Sequence, residues 1–138
     1  MKVLVSACLL GENCKYNGGN NLSDKVVRFV KGREVIPVCP ETLAGLGIPR
    51  TPIEICGDRV LSRDGVDVTD CLIQAVKSIL SQIADQDIEC AILKSRSPTC
   101  GVRQVYDGTF TGTLVEGSGI LAAALKMCGI PVIDAEDL

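Results

Sequence analysis

Eight cysteines, at positions 8, 14, 39, 56, 71, 90, 100 and 128, stand in a chain that has no histidine. Without an imidazole, a His-dependent triad, a His-ligated zinc and a two-His-one-carboxylate iron site are all excluded. Any metal must sit on thiolates or carboxylates, and any general acid or base must be Glu, Asp, Lys, Tyr or Cys. No pair of cysteines is spaced C-x-x-C, which argues against a zinc ribbon and a thioredoxin-type redox pair. Cys71, Cys90 and Cys128 fall on a helical apolar stripe, inside a β-like run and near a helix end, and read as small buried hydrophobes. Cys8, Cys39 and Cys100 instead sit beside Gly, Pro, Ser and Glu, a setting that suits function. Cys14 and Cys56 stay open between the two readings.

Three thiolates form a soft ligand set that selects an iron-sulfur cluster, zinc or Cu(I). Structural zinc takes four ligands, and Cys14 or Cys56 could supply the fourth. A cubane on three cysteines leaves one iron open to a substrate. The residues by themselves therefore allow two kinds of protein. One is an enzyme with an open cluster; the other is a non-catalytic thiolate module, structural or sensing, whose metal is fully ligated.

Such widely separated cysteines meet only if the fold brings strand ends together. "KVLV" (2–5), "EVIPV" (34–38), "IECAILK" (88–94) and "IPVID" (130–134) read as short buried strands. "LSDKVVRFVK" (22–31), residues 69–84 with apolar positions 72, 73, 76, 79, 80 and 83, and "SGILAAALKMC" closed by Gly129 read as helices. "CPETLAGLGIPRTPIEI" is punctuated by Pro and Gly and reads mostly as loop, with a short hairpin around "DRVLSRDGVD". The segment from Ser95 to Gly117 also reads as loop. Alternating strands and helices predict an α/β fold, a single Rossmann-like domain over 1–138 with a mostly parallel sheet and helices on both faces. In such a sheet ligands gather beyond the carboxyl ends of the strands. Cys8 follows the first strand, Cys39 ends the second and Cys100 lies in the loop after the third major one, so the three thiols are expected at one edge.

Composition narrows the surroundings. The chain is 46% hydrophobic but only 3% aromatic, so the core must rest on Val, Ile, Leu and Ala. A formal charge of -3 and a pI near 4.9 disfavour a phosphate-backbone binder, and intact nucleic acid is not the expected partner. The start "MKVLVSACLLGE" is too briefly apolar for a secretory segment or a membrane span, which predicts a cytoplasmic protein with reduced thiols and no membrane partner. "GTFTGTLVEGSG" lacks both common phosphate-loop patterns and reads as turns plus a helix start.

Four ordered blocks, "SACLLGENCKYNGG", "VCPETLAGLGIPRTPIEI", "LKSRSPTCGVRQVYDGTFTG" and "GSGILAAAL", span nearly the whole chain. Together they resemble a small single-domain family long catalogued as a domain of unknown function, whose members are associated with thiouracil desulfidase activity. The resemblance implies a [4Fe-4S] cluster on Cys8, Cys39 and Cys100, an acid-base carboxylate at Glu41 of "CPE" and a catalytic hydroxyl at Ser97 of "SPTC". It implies conversion of a thione to a carbonyl, as in 4-thiouracil to uracil, with a thiolated base or nucleoside as the small-molecule partner. Lys15, Asn17 and Thr99 stand where family members often show Arg, Asp and Ser, which affects the expected pocket more than the expected ligands. Lys94 and Arg96, flanking the serine turn, are either charge-balancing groups or solvated side chains.

Overall fold

The computed structural model describes residues 1–138. In chain order the elements are β1 (Lys2–Ser6), a 3-10 turn (Ala7–Leu10), α1 (Asp24–Val30), β2 (Glu34–Val38), α2 (Pro40–Leu43), β3 (Ile53–Cys56), β4 (Arg59–Ser62) and α3 (Thr69–Ile83). They continue with β5 (Ile88–Leu93), β6 (Gln104–Tyr106), β7 (Leu114–Glu116), α4 (Ile120–Met127), β8 (Val132–Asp134) and a closing 3-10 turn (Ala135–Asp137). Strands β2, β1, β5 and β8 lie in that order in one wholly parallel sheet. All four therefore end at the same edge.

Alternation along the strands sorts the core into two layers, because successive side chains point to opposite faces. Leu4, Ala91 and Leu93 pack with Val76, Ile79 and Ile83 of α3 and Leu121 and Leu125 of α4. Val3, Val5, Cys90 and Ile92 pack on the other face with Leu9 of the first 3-10 turn and Val26 of α1. Helices cover both faces, as the alternating pattern predicts. The apolar core is aliphatic apart from cysteines, and none of the four aromatic residues is in it.

Helix α1 is shorter than its sequence pattern. The Ser23 side chain accepts a hydrogen bond from the Val26 amide and sets the start, which leaves Leu22 outside the helix and exposed. The stretch after Cys39 is more ordered than expected: Pro40 opens the one-turn helix α2, and the hairpin begins at Ile53 rather than after residue 58. Thr69, the first residue of α3, accepts a hydrogen bond from the Val60 amide at 2.7 Å and ties the long helix to this hairpin. The expected loop 95–117 contains a second hairpin, β6 paired antiparallel with β7. No helix is long and apolar enough to cross a membrane.

Candidate active site

At the shared strand edge the chain turns polar at once. Cys8 lies in the 3-10 turn that continues β1, Cys39 is the residue capping α2 just beyond β2, and Cys100 lies in the turn seven residues past β5. All three line a cleft of about 520 Å³, together with Glu41 and Ser97. The five residues singled out from the sequence thus meet at one place. No three Cys, Asp or Glu side chains are grouped tightly enough to hold one bare ion. A cleft lined by three thiols suits an iron-sulfur cluster in donor chemistry.

Each thiol is held by neighbours. Burial raises the pKa of Cys8, opposed first by a hydrogen bond with the Asn21 side chain and also by the Lys94 cation, while Cys39 and Glu41 push it further up. Burial and then the Glu41 carboxylate push Cys100 up to about 12, against hydrogen bonds from Ser6 and Thr99. Thr42 donates to the Cys39 sulfur at 3.1 Å. Binding of these groups as thiolates is therefore coupled to proton release, and a cation or cluster must supply the compensating charge. The hydrogen-bond donors Asn21, Ser6 and Thr42 are already aimed at the sulfurs.

A chain of hydroxyls joins the ligand turn to the carboxylate. Glu41, on the first turn of α2, is nearly buried, and its Oε1 accepts from Thr99 Oγ1 at 2.9 Å. Ser97 Oγ lies 3.0 Å from the same Thr99 oxygen. With the Thr99 proton given to the carboxylate, Ser97 is the donor to Thr99, and the order runs Ser97 to Thr99 to Glu41. Ser97 Oγ also accepts from the amides of Thr99 and Cys100, both at 3.1 Å. The serine therefore shapes the turn that carries Cys100 as well as facing the cleft. Thr99 is fully buried; the sequence marks it only as a departure that affects the pocket, without this linking role. Its place between Ser97 and Cys100 in so polar a turn is the one signal of that role.

The remaining candidates divide. Cys14 is buried on the cleft wall beside Cys39, its carbonyl held by Arg50 at 2.8 Å, and burial followed by the negative field of Cys39 pushes its thiol up to about 12. Cys56 does not line the cleft; its sulfur points to the Gly108 carbonyl at 3.4 Å. Lys94 lines the cleft, and its Nζ donates to Ser95. Arg96 also contributes to the wall, but its guanidinium pairs with Glu136 at 2.9 Å and is not free to neutralise the thiolates. Of the three cysteines read as buried hydrophobes, Cys90 is in the core, Cys71 is half-buried with its sulfur toward the Val68 carbonyl, and Cys128 is exposed at the end of α4.

The glycine-rich segment before α4 offers no phosphate site. The amides of Gly119, Ile120, Leu121 and Ala122 donate to the carbonyls of Gly101, Pro98 and Thr99 at 2.7–3.2 Å. The cysteine turn itself caps the helix. Gly119 is needed there because a Cβ would come within 2.4 Å of the Thr99 backbone.

The "Uncharacterized protein YbbK" of Bacillus subtilis (strain 168) is 36% identical over 146 residues, covering 99% of this chain and 97% of that protein. A solved structure described as a [4Fe-4S]-dependent thiouracil desulfidase, TudS, superposes with a TM-score of 0.90 at 36% identity, over 99% of this chain and 92% of that one. Residues 3–137 match the profile of the family described as 2-thiouracil desulfurase, and the chain belongs to that family.

Proposed function

We propose that this chain is a cytoplasmic, [4Fe-4S]-dependent desulfidase that converts the thione of a thiolated nucleobase such as 4-thiouracil into a carbonyl. The observation that carries the reading is the convergence of Cys8, Cys39 and Cys100 with a nearly buried carboxylate on one cleft. In this reading those three thiolates hold the cluster, and Cys14 stays outside the ligand set. The bound cluster supplies a Lewis-acidic iron without a protein ligand, suited to a soft thione sulfur. The overall change is C=S plus water to C=O plus hydrogen sulfide, with no change of oxidation state.

The chain's own residues handle the protons. Glu41 faces the cleft and takes a proton from the attacking water, the role that its place beside the three cysteines suits. The Thr99 hydroxyl holds Glu41 Oε1 and Ser97 holds Thr99 in turn, so the two hydroxyls fix the orientation of the carboxylate. Lys94 adds positive charge beside Cys8. The acidic whole-chain balance favours a free base or nucleoside over intact RNA as the substrate.

Anaerobic reconstitution with iron and sulfide tests the reading. A brown protein with about four irons per chain that releases sulfide from 4-thiouracil is expected. A protein that refuses iron and instead binds zinc tightly overturns it. Cys14→Ser retains the iron, whereas Cys8→Ser loses it.

A further inference from the structure

The chain has four aromatic residues, Tyr16, Phe29, Tyr106 and Phe110, and three of them line the cleft. The core uses none, so this clustering is not a by-product of packing. Phe110 stands out among them. It takes a left-handed backbone with φ of +58°, a conformation that only one other non-glycine residue of the chain, Arg96, adopts. Both of these residues lie in the cleft wall.

A bulky side chain in that region is strained, because its Cβ crowds the neighbouring carbonyl. Glycine or asparagine would hold the same turn with less strain. The strain persists because the surrounding structure over-determines it. Glu54 of β3 is nearly buried, and its Oε1 accepts from the amides of Gly108 at 3.0 Å and Phe110 at 3.2 Å. Gly108 itself is pressed onto β3: a Cβ there would come within 2.7 Å of the Ile55 carbonyl and 2.9 Å of the Cys56 sulfur. The Cys56 sulfur also lies 3.4 Å from the Gly108 carbonyl. The Arg63 guanidinium, also in the cleft wall, lies over the Phe110 ring at 5.9 Å from its centroid. A first hairpin thus clamps the loop of a second one and presents a fixed aromatic ring to the cleft.

We propose that Phe110 is a specificity-determining residue that stacks on the flat ring of the substrate, and that Glu54 is the positioning residue that holds it there. The proposal rests on the desulfidase reading for the substrate's chemistry, since a thiolated pyrimidine is planar and presents a π-face that an aromatic side chain recognises. It assigns a use to Cys56 as well, as part of the clamp rather than as a metal ligand.

The test uses the cluster-loaded enzyme and three Phe110 side chains. Phe110→Leu keeps bulk but removes the π-face, and is expected to raise KM for 4-thiouracil about tenfold with a much smaller change in kcat. Phe110→Trp restores KM. Direct binding of uracil and of 5,6-dihydrouracil, read by calorimetry, supplies a readout that does not depend on sulfur: the wild type favours the planar ring, and Phe110→Leu narrows that preference. Glu54→Ala reproduces the KM rise, while Glu54→Gln, which keeps one carbonyl acceptor for the two amides, largely preserves the wild-type KM. Unchanged KM and an unchanged preference between the two rings in Phe110→Leu overturn the proposal, and a wild-type KM in Glu54→Ala overturns the role of Glu54. Should Glu54→Ala fail to fold, the Phe110 variants still decide the stacking role. A loaded wild type that releases no sulfide defeats the desulfidase reading alone, because direct binding of the two rings to the same variants still reports stacking.

Discussion

From Cys90 to Leu93, β5 runs through the sheet with every side chain buried and no charged group among them; over the next seven residues the chain places Lys94, Ser95, Arg96, Ser97, Pro98 and Cys100 around the cleft, with Thr99 buried behind it. The strand interior is regular and aliphatic, and its residues are interchangeable within limits of volume. The edge is polar, includes a left-handed non-glycine at Arg96, and depends on hydroxyls at defined distances. Stability and chemistry are therefore separated by a single strand end. The interior supplies the rigidity that lets the turn hold a thiol, two hydroxyls and a carboxylate in place.

If that separation is real, substitutions at the edge should remove activity while sparing the fold, and substitutions inside should do the reverse. The largest effect is expected for Cys100→Ser, which loses iron to background on anaerobic reconstitution and all sulfide release, while circular dichroism stays near wild type. Glu41→Gln keeps about four irons per chain and lowers kcat by about a hundred- to ten-thousandfold, as expected for loss of a general acid-base group. Inside the sheet layer, Ile79→Ala leaves a cavity beneath α3 and costs about 2–5 kcal/mol in urea unfolding, with kcat per bound cluster unchanged. Thr99→Val breaks the link between Ser97 and Glu41; it lowers kcat by about tenfold, and Thr99→Ser recovers most of the loss.

The smallest effect lies far from both regions. The hydrogen bond from Arg59, and then those from Thr69, hold the Asp67 carboxyl well below the usual carboxylate range. A lowered folded pKa stabilises the fold above the ordinary carboxylate value of 3.8, and the contribution is lost as the pH falls below it. Asp67→Asn therefore flattens the acid limb of the stability curve between about pH 5 and pH 2, read by denaturant unfolding at each pH. A steeper limb in the variant would refute this assignment.

The parallel sheet was legible because buried parallel strands are unbroken apolar runs, as in "KVLV" and "IECAIL". The long helix was legible from its stripe, where Leu72, Val76, Ile79 and Ile83 are buried as the period requires. The hairpin β6–β7 was not, since "QVY" and "LVE" are three residues each and the segment 107–113 between them, although it begins Asp107-Gly108, is too long for a two-residue turn. At the cleft, Cys8, Cys39 and Cys100 could be found because strand ends collect ligands. Thr99, Asn21 and Ser6 could not be ranked from the sequence. Thr99 meets Glu41 across 58 positions, and the other two matter through the sulfurs they face, relations that no local pattern encodes.

The carbonyls of Pro98, Thr99 and Gly101 terminate α4 in place of a side-chain cap, so the turn bearing Cys100 and the first coil of that helix form one mechanical unit. Displacing the turn by even a fraction of an ångström lengthens those bonds together. Exchange of the Ile120, Leu121 and Ala122 amides with deuterated solvent thereby becomes a gauge of whether the cysteine is anchored. It can be read by mass spectrometry on protein with and without iron, in the absence of any substrate.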